Sequence, residues 1–135
     1  MLNPRFLLDT HILVRWLTAP KKLSREQARV LRDAVRQREP VAISAITLLE
    51  IAILFGDGST RSDIPVGELF SVLESNPALQ IIPLTVDVAA EVATLGGSLR
   101  DPADRTIVGT ARVHKLRLIT SDQRIIDSNL VSVVV

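Results

Sequence analysis

Phe6-Leu7-Leu8-Asp9-Thr10-His11 is the stretch on which the reading of the whole chain turns. Three apolar residues run straight into an acidic one, and a helical pattern starts at the next position. A short apolar run with such a boundary reads as a parallel strand buried on both faces. Asp9 then stands at the carboxyl end of that strand, the edge where open α/β sheets form their ligand crevices. What matters next is which other carboxylates return to that edge.

Outward from this stretch, helical and extended patterns alternate. Thr10 to Thr18 has Ile12, Leu13, Trp16 and Leu17 at helical spacing, and Ala19-Pro20-Lys21-Lys22 breaks it. Ser24 with Gln27 makes a capping-box pattern that opens a helix to about Arg38. Arg25, Arg29, Arg32 and Arg36 share one face of it. A solvated face is the stronger reading, given the Arg29–Asp33 spacing, and a phosphate-contacting stripe is the sharper one. Val41 to Ser44 is a second strand, and Ala45 to Phe55 a helix that is nearly all apolar apart from Thr47 and Glu50.

Gly56-Asp57-Gly58-Ser59-Thr60 reads as a loop, and Pro65 as the first position of a helix to about Ser75. Leu79 to Leu84 is a third strand. Thr85 to Leu95 is a helix with Val86, Ala89, Ala90 and Ala93 inward and Asp87 and Glu91 outward, ended by Gly96-Gly97. Asp101-Pro102 starts a helix to about Lys115, Leu116 to Thr120 is a fourth strand, and Ser121-Asp122-Gln123 turns into a short helix. Val131 to Val135 is a fifth strand. This alternation predicts an α/β fold: a central, mainly parallel sheet of about five strands with helices on both faces.

At 135 residues the chain is expected to be a single domain with a proper core. It has no cysteine, which excludes disulfides and thiolate metal sites and fits a reducing compartment. No apolar run approaches the roughly 18 residues of a membrane span, and no secretory signal pattern is read at the N-terminus. Of the 16 basic residues, 13 are Arg, the side chain suited to bidentate contact with phosphate or carboxylate. Three Phe and one Trp are too few for the stacking platforms of many single-strand binders. A mean hydropathy of +0.29 points to an apolar surface covered by a partner, such as another copy.

Four acids carry the chemistry. Glu50 shares a helix face with Ile46, Thr47, Ile53 and Leu54, where an unpaired carboxylate is costly by several kcal/mol. It needs a metal, a hydrogen-bond network, or a buried cation such as Arg15 or Arg112. Asp101 and Asp104 frame Asp-Pro-Ala-Asp-Arg at a helix start. N-cap chemistry is the favoured reading for Asp101, while Asp104 can cap the helix or project into the crevice. Asp122 follows the fourth strand and so occupies another carboxyl end, where it too can serve as a cap. Such a cluster repels itself and raises some pKa values unless cations bind. Oxygen donors without Cys or a usable His pair suit Mg²⁺ or Mn²⁺ rather than zinc. Two such ions, or one plus a substrate phosphate, would activate water and stabilise the charge of an in-line phosphoryl transition state. His11 and His114 read as helix-surface or helix-end residues, and no Gly-rich phosphate loop, nucleophile-elbow serine or dinucleotide fingerprint is present.

Four stretches together resemble the signatures of PIN-domain ribonucleases, and more narrowly the VapC-like toxins of bacterial type II toxin–antitoxin pairs. They are Leu7-Leu-Asp9-Thr10-His11, Ser44-Ala-Ile-Thr-Leu-Leu-Glu50-Ile-Ala, Asp101-Pro-Ala-Asp104-Arg105-Thr-Ile-Val-Gly-Thr-Ala111 and Leu118-Ile-Thr120-Ser-Asp122. The resemblance spans nearly the whole chain in the right order. It implies a three-layer α/β/α fold and divalent-metal-dependent hydrolysis of RNA with Mg²⁺ or Mn²⁺. It also implies a homodimer and inhibition by a small antitoxin protein whose C-terminal segment covers the active site, all in the cytoplasm. Carried over by position, Asp9, Glu50, Asp104 and Asp122 are the catalytic metal-binding set, with Asp101 as an accessory acid. Thr10 and Thr120 are hydrogen-bonding neighbours of the metal or scissile phosphate, and Arg105 contacts RNA phosphate or a neighbouring acid.

Two departures stand out. Ser98-Leu99-Arg100 replaces a His often found before the Asp-Pro motif, and aliphatic residues replace most aromatic ones around the first two motifs. A phosphatase of the haloacid dehalogenase type would need a second acid two residues after Asp9, where His11 stands. A non-catalytic module that keeps the fold to bind RNA or protein is the remaining rival, and retention of all four acids argues against it.

Overall fold

The computed structural model describes residues 3–56 and 64–135. The loop expected at Gly56 to Thr60 lies outside them, apart from Gly56 itself. Five strands, β1 (Phe6–Leu8), β2 (Val41–Ser44), β3 (Leu79–Ile82), β4 (Arg117–Ile119) and β5 (Val133–Val134), form one sheet. Their order is β3-β2-β1-β4-β5 and every neighbouring pair is parallel. The described helices are α1 (Thr10–Thr18), α2 (Arg25–Arg36), α3 (Ala45–Gly56), α4 (Val66–Ser75), α5 (Val86–Ala93), α6 (Pro102–His114) and α7 (Gln123–Ser128).

Alternation along β1 explains why the sheet is covered twice. Successive strand side chains point to opposite faces. Leu8 packs with Ile12, Leu13, Val30, Leu31 and Ile51, from α1, α2 and α3. Leu7 packs with Ile107, Val108, Ala111, Leu118 and Ile125, from α6, β4 and α7. The result is a three-layer α/β/α sandwich. All three β1 residues are buried, as a parallel strand between two helix layers requires.

Local signals set several helix starts. Ser24 Oγ accepts from Gln27 N at 3.0 Å while Gln27 Oε1 accepts from Ser24 N at 2.9 Å, so the reciprocal capping box forms. Pro65 is the residue before α4 rather than its first helical position. The third strand stops at Ile82, short of the expected Leu84, because Pro83 has no N–H to extend the ladder.

The face of α5 differs from the sequence expectation. Val86 is 85% exposed, and Ala89, Ala90 and Ala93 also face outward. Val88 is fully buried instead, and Glu91, expected outward, pairs with Arg112 of α6 at 2.8 Å. Gly109 of α6 accounts for this choice. A Cβ there would lie 2.8 Å from Val92 Cγ2, so the missing side chain lets α5 bring its Val88–Val92 face against α6.

Chain order reverses between β1 and β4. From β1 the sheet grows through β2 to β3, and the chain then crosses back to add β4 and β5 on the other side of β1. Crevices open at such a switch, beyond the carboxyl ends of the strands. Asp9 follows β1 there, and Thr120 follows β4.

Candidate active site

Asp9 ends β1 and caps α1. It is 4% exposed, and its Oδ1 accepts from Thr10 N at 2.8 Å. Its Oδ2 accepts from Thr120 Oγ1 at 2.7 Å, across the switch point. The Thr120 hydroxyl itself accepts from Asp122 N at 3.0 Å, so it couples the first acid to the segment carrying the last. These two donors, one to each oxygen, fix the orientation of the Asp9 side chain.

Glu50 reaches the same edge from α3. Thr10 Oγ1 donates to Glu50 Oε1 at 2.5 Å. Having given up its one proton, that hydroxyl accepts from Thr47 Oγ1 at 3.0 Å. Among the described residues neither Arg15 nor Arg112 forms an ion pair with Glu50, and Arg112 pairs with Glu91 instead. Burial pushes the Glu50 pKa up, against the Thr10 hydrogen bond, and the charges of Asp9 and Asp101 push the same way.

Asp104 sits one turn into α6. Asp101 is the N-cap of that helix and accepts from Asp104 N at 2.9 Å, the capping role favoured for it. Asp104 is buried, and its Oδ2 has no hydrogen-bond partner. Its pKa is pushed up to about 7, first by burial and then by the charges of Asp101, Asp9 and Asp122. An orphaned carboxylate oxygen in such surroundings costs free energy unless a cation or proton meets it.

Asp122 caps α7, accepting from Arg124 N at 2.9 Å. The Arg124 side chain folds back onto the same carboxylate, with Nε 3.2 Å from Oδ1 and Nη2 2.9 Å from Oδ2. That hydrogen bonding holds the Asp122 pKa below its ordinary value. Arg124 Nη2 also stands 3.6 Å from Asp104 Oδ2.

All four acids and Asp101 therefore share one edge, bound together by Thr10, Thr120 and Arg124. Among the described residues, however, no three Asp, Glu or His side chains stand in a geometry that would hold a metal ion. The donor set fits a hard divalent cation in kind, because the open Oδ2 of Asp104 lies in the field of three other carboxylates. Closing the set around an ion takes side-chain movement.

Two residues stand elsewhere than the sequence suggested, and one was missed. Arg105 touches no acid: its guanidinium donates to the carbonyls of Val92 (2.9 Å), Gly96 (2.5 Å) and Leu99 (2.6 Å), fastening the α5–α6 connection. His11 lies at the edge of the site rather than on a plain helix surface. Its Nε2 accepts from Ser121 N at 3.0 Å, which places the proton of the neutral ring on Nδ1, 3.5 Å from Asp9 Oδ2. Burial lowers the His11 pKa, more than Asp9 raises it. Arg124 was not anticipated, and the available signal was its place two residues after Asp122.

Comparison with known proteins agrees with this layout. The PIN domain family matches residues 6–128, and the chain belongs to that family. Within it the resemblance is to VapC proteins. Ribonuclease VapC22 of Mycobacterium tuberculosis is 32% identical over 120 residues, covering 88% of each chain. Among solved structures, FitAcB from Neisseria gonorrhoeae superimposes with a TM-score of 0.69 at 25% identity, over 95% of each chain. VapBC2 from Rickettsia felis, bound to a DNA fragment from its promoter, gives 0.70 at 18% identity over 96% of each chain, a likeness of fold alone.

Proposed function

We propose that this chain is the toxin of a type II toxin–antitoxin pair, an endoribonuclease that hydrolyses RNA phosphodiester bonds with the help of Mg²⁺ or Mn²⁺. The observation that carries this reading is the buried Oδ2 of Asp104, without a hydrogen-bond partner, among Asp9, Asp101 and Asp122 at the sheet's switch point. Membership of the PIN family and the kinship with Ribonuclease VapC22 support it. Asp9, Glu50, Asp104 and Asp122 would hold the cation, with Asp101 accessory to them. Such an ion supplies charge neutralisation and a more acidic water when bound.

The chain's own residues do the orienting. Thr120 and the Thr10 backbone amide hold the Asp9 carboxylate in place at the crevice. The Thr10 hydroxyl turns Glu50 toward the same edge and offsets part of the cost of burying it. Asp104, its pKa pushed up to about 7 by burial and by the neighbouring acids, would give up its proton as a cation meets its open Oδ2. Arg105 contributes by fixing the loop before α6, and so the position of Asp104, rather than by touching phosphate.

An antitoxin and a second copy of the chain are the protein partners on this reading. Exposed apolar side chains support such coverage: Leu49 and Ile53 on α3, and Leu84 and Val86 at the start of α5. Among the described residues no helix is long and apolar enough to cross a membrane; work in the cytoplasm is part of the toxin reading. The test is cleavage of structured RNAs in Mg²⁺ by the wild-type protein, Asp9→Asn and Asp104→Asn. Cleavage by the wild type alone is expected. Equal cleavage by all three would remove the carboxylate assignment, and none by any would favour a non-catalytic binding module.

A further inference from the structure

Asp122 has no free oxygen. Oδ1 accepts from the backbone N and Nε of Arg124, and Oδ2 accepts from Nη2. The same Nη2 forms a longer ion pair, at 3.6 Å, with the Oδ2 of Asp104 that has no hydrogen-bond partner. One guanidinium nitrogen thus contacts an oxygen of each of two acids that would help to hold a cation. Arg124 reaches this place from outside, its side chain 72% exposed while those of Asp104 and Asp122 are 11% and 19% exposed. Among the described residues the guanidinium hydrogen-bonds to Asp122 alone and is otherwise held only by the longer ion pair with Asp104. An exposed pair of this kind is weak and opens readily to solvent.

We propose that Arg124 is an internal counter-ion that competes with a divalent cation for Asp104 and Asp122, and must swing out before the acid set can close on the ion. The inference rests on the metal-site reading given above. It also accounts for an arrangement in which the acids gather on one edge without three of them forming a cation site. In this role Arg124 is a positioning residue. It keeps Asp122 turned toward the crevice and holds down the mutual repulsion of the acids, and it sets how much free cation is needed to load the site.

The experiment is a Mn²⁺ titration of the purified chain, followed by calorimetry and by the electron paramagnetic resonance signal of free Mn²⁺, with no RNA present. Arg124→Gln is expected to bind Mn²⁺ about two- to fivefold more tightly than wild type, the scale set by the weakness of an exposed ion pair. Arg124→Lys restores a cation there and should return the affinity toward wild type. Arg25→Gln, the same loss of charge on the exposed face of α2, should leave it unchanged. Unchanged or weaker binding by Arg124→Gln would overturn the competition. So would equal tightening by Arg25→Gln, because net charge alone would then explain the effect. No Mn²⁺ uptake by the wild type or any variant would overturn the metal-site reading itself, a result separable from either of those.

Discussion

The two ends of the sheet each bury a carboxylate, and they treat it in opposite ways. At the amino end, Glu39 precedes β2 and its side chain is 5% exposed. Arg5, just before β1, answers it with a two-point contact, Nε to Oε1 at 2.6 Å and Nη2 to Oε2 at 2.9 Å. At the carboxyl end, Asp104 is nearly as buried but keeps one oxygen without a hydrogen bond, and its nearest cation stands at 3.6 Å. Full pairing is what a structural acid needs to stay ionised inside a protein. Leaving an acid short of it, beside three more, costs stability and makes sense where something else is to be bound. The contrast separates scaffold from site more sharply than burial does.

Substitutions that remove each acid test that contrast, and the largest effect expected is on cleavage. Asp104→Asn should abolish Mg²⁺-dependent RNA cleavage, a loss beyond the roughly 10- to 100-fold that follows removal of a supporting partner in metal sites. Glu39→Ala should leave cleavage by the folded protein unchanged. Stability should answer in the reverse order. Glu39→Ala strands Arg5 and should cost about 1–3 kcal/mol in urea unfolding, toward the lower end because the Arg5 side chain is 60% exposed. Asp104→Asn should stabilise the protein at pH 8, by removing a buried charge held among other acids. If both substitutions destabilise alike, the two ends do not differ as described. A smaller effect belongs to Thr10→Val, which takes away the donor to Glu50. Cleavage should fall about tenfold, with the loss eased at higher pH as the unaided Glu50 ionises.

Local signals made much of this legible in the sequence. An apolar run ending in Asp9 gives a strand and its edge; Ser24 with Gln27, and Asp101 with Pro102, give helix starts, because each motif satisfies its own backbone groups. What was illegible depends on contacts between distant residues. Val86, Ala89 and Ala93 form one apolar stripe of α5 and Val88 with Val92 another, and only Gly109, on a different helix, decides which turns inward. Arg105 looked like a phosphate contact because nothing in its own neighbourhood reveals three carbonyls at the end of α5. For Arg124 one partner lies two residues away and the other twenty, so the acids are visible in the sequence while the cation between them is not. The fold follows from periodicity, and the charge balance of the site from tertiary placement.

The most delicate consequence of the contrast is a dependence of stability on pH. Asp104 titrates near 7 in the folded chain and at its ordinary value of 3.8 when unfolded. Between those values the folded protein holds a proton that the unfolded chain has released, so stability falls as pH rises. The contribution is complete below 3.8 and gone above about 7. Glu50, also raised, acts in the same direction. His11, lowered by burial, acts in the opposite one, since the unfolded chain binds its proton first as pH drops. Opposed terms make the wild-type slope small, and the informative quantity is the difference between wild type and Asp104→Asn. Thermal unfolding with a chelator present should show the variant's advantage at pH 8 shrinking as pH is lowered to 5.5. For Glu39→Ala the penalty should stay constant across that range, because the two-point contact with Arg5 leaves neither carboxylate oxygen of Glu39 open. A constant difference for Asp104→Asn as well would mean that its carboxyl is no less comfortably held than Glu39, and that the open oxygen on α6 marks no site.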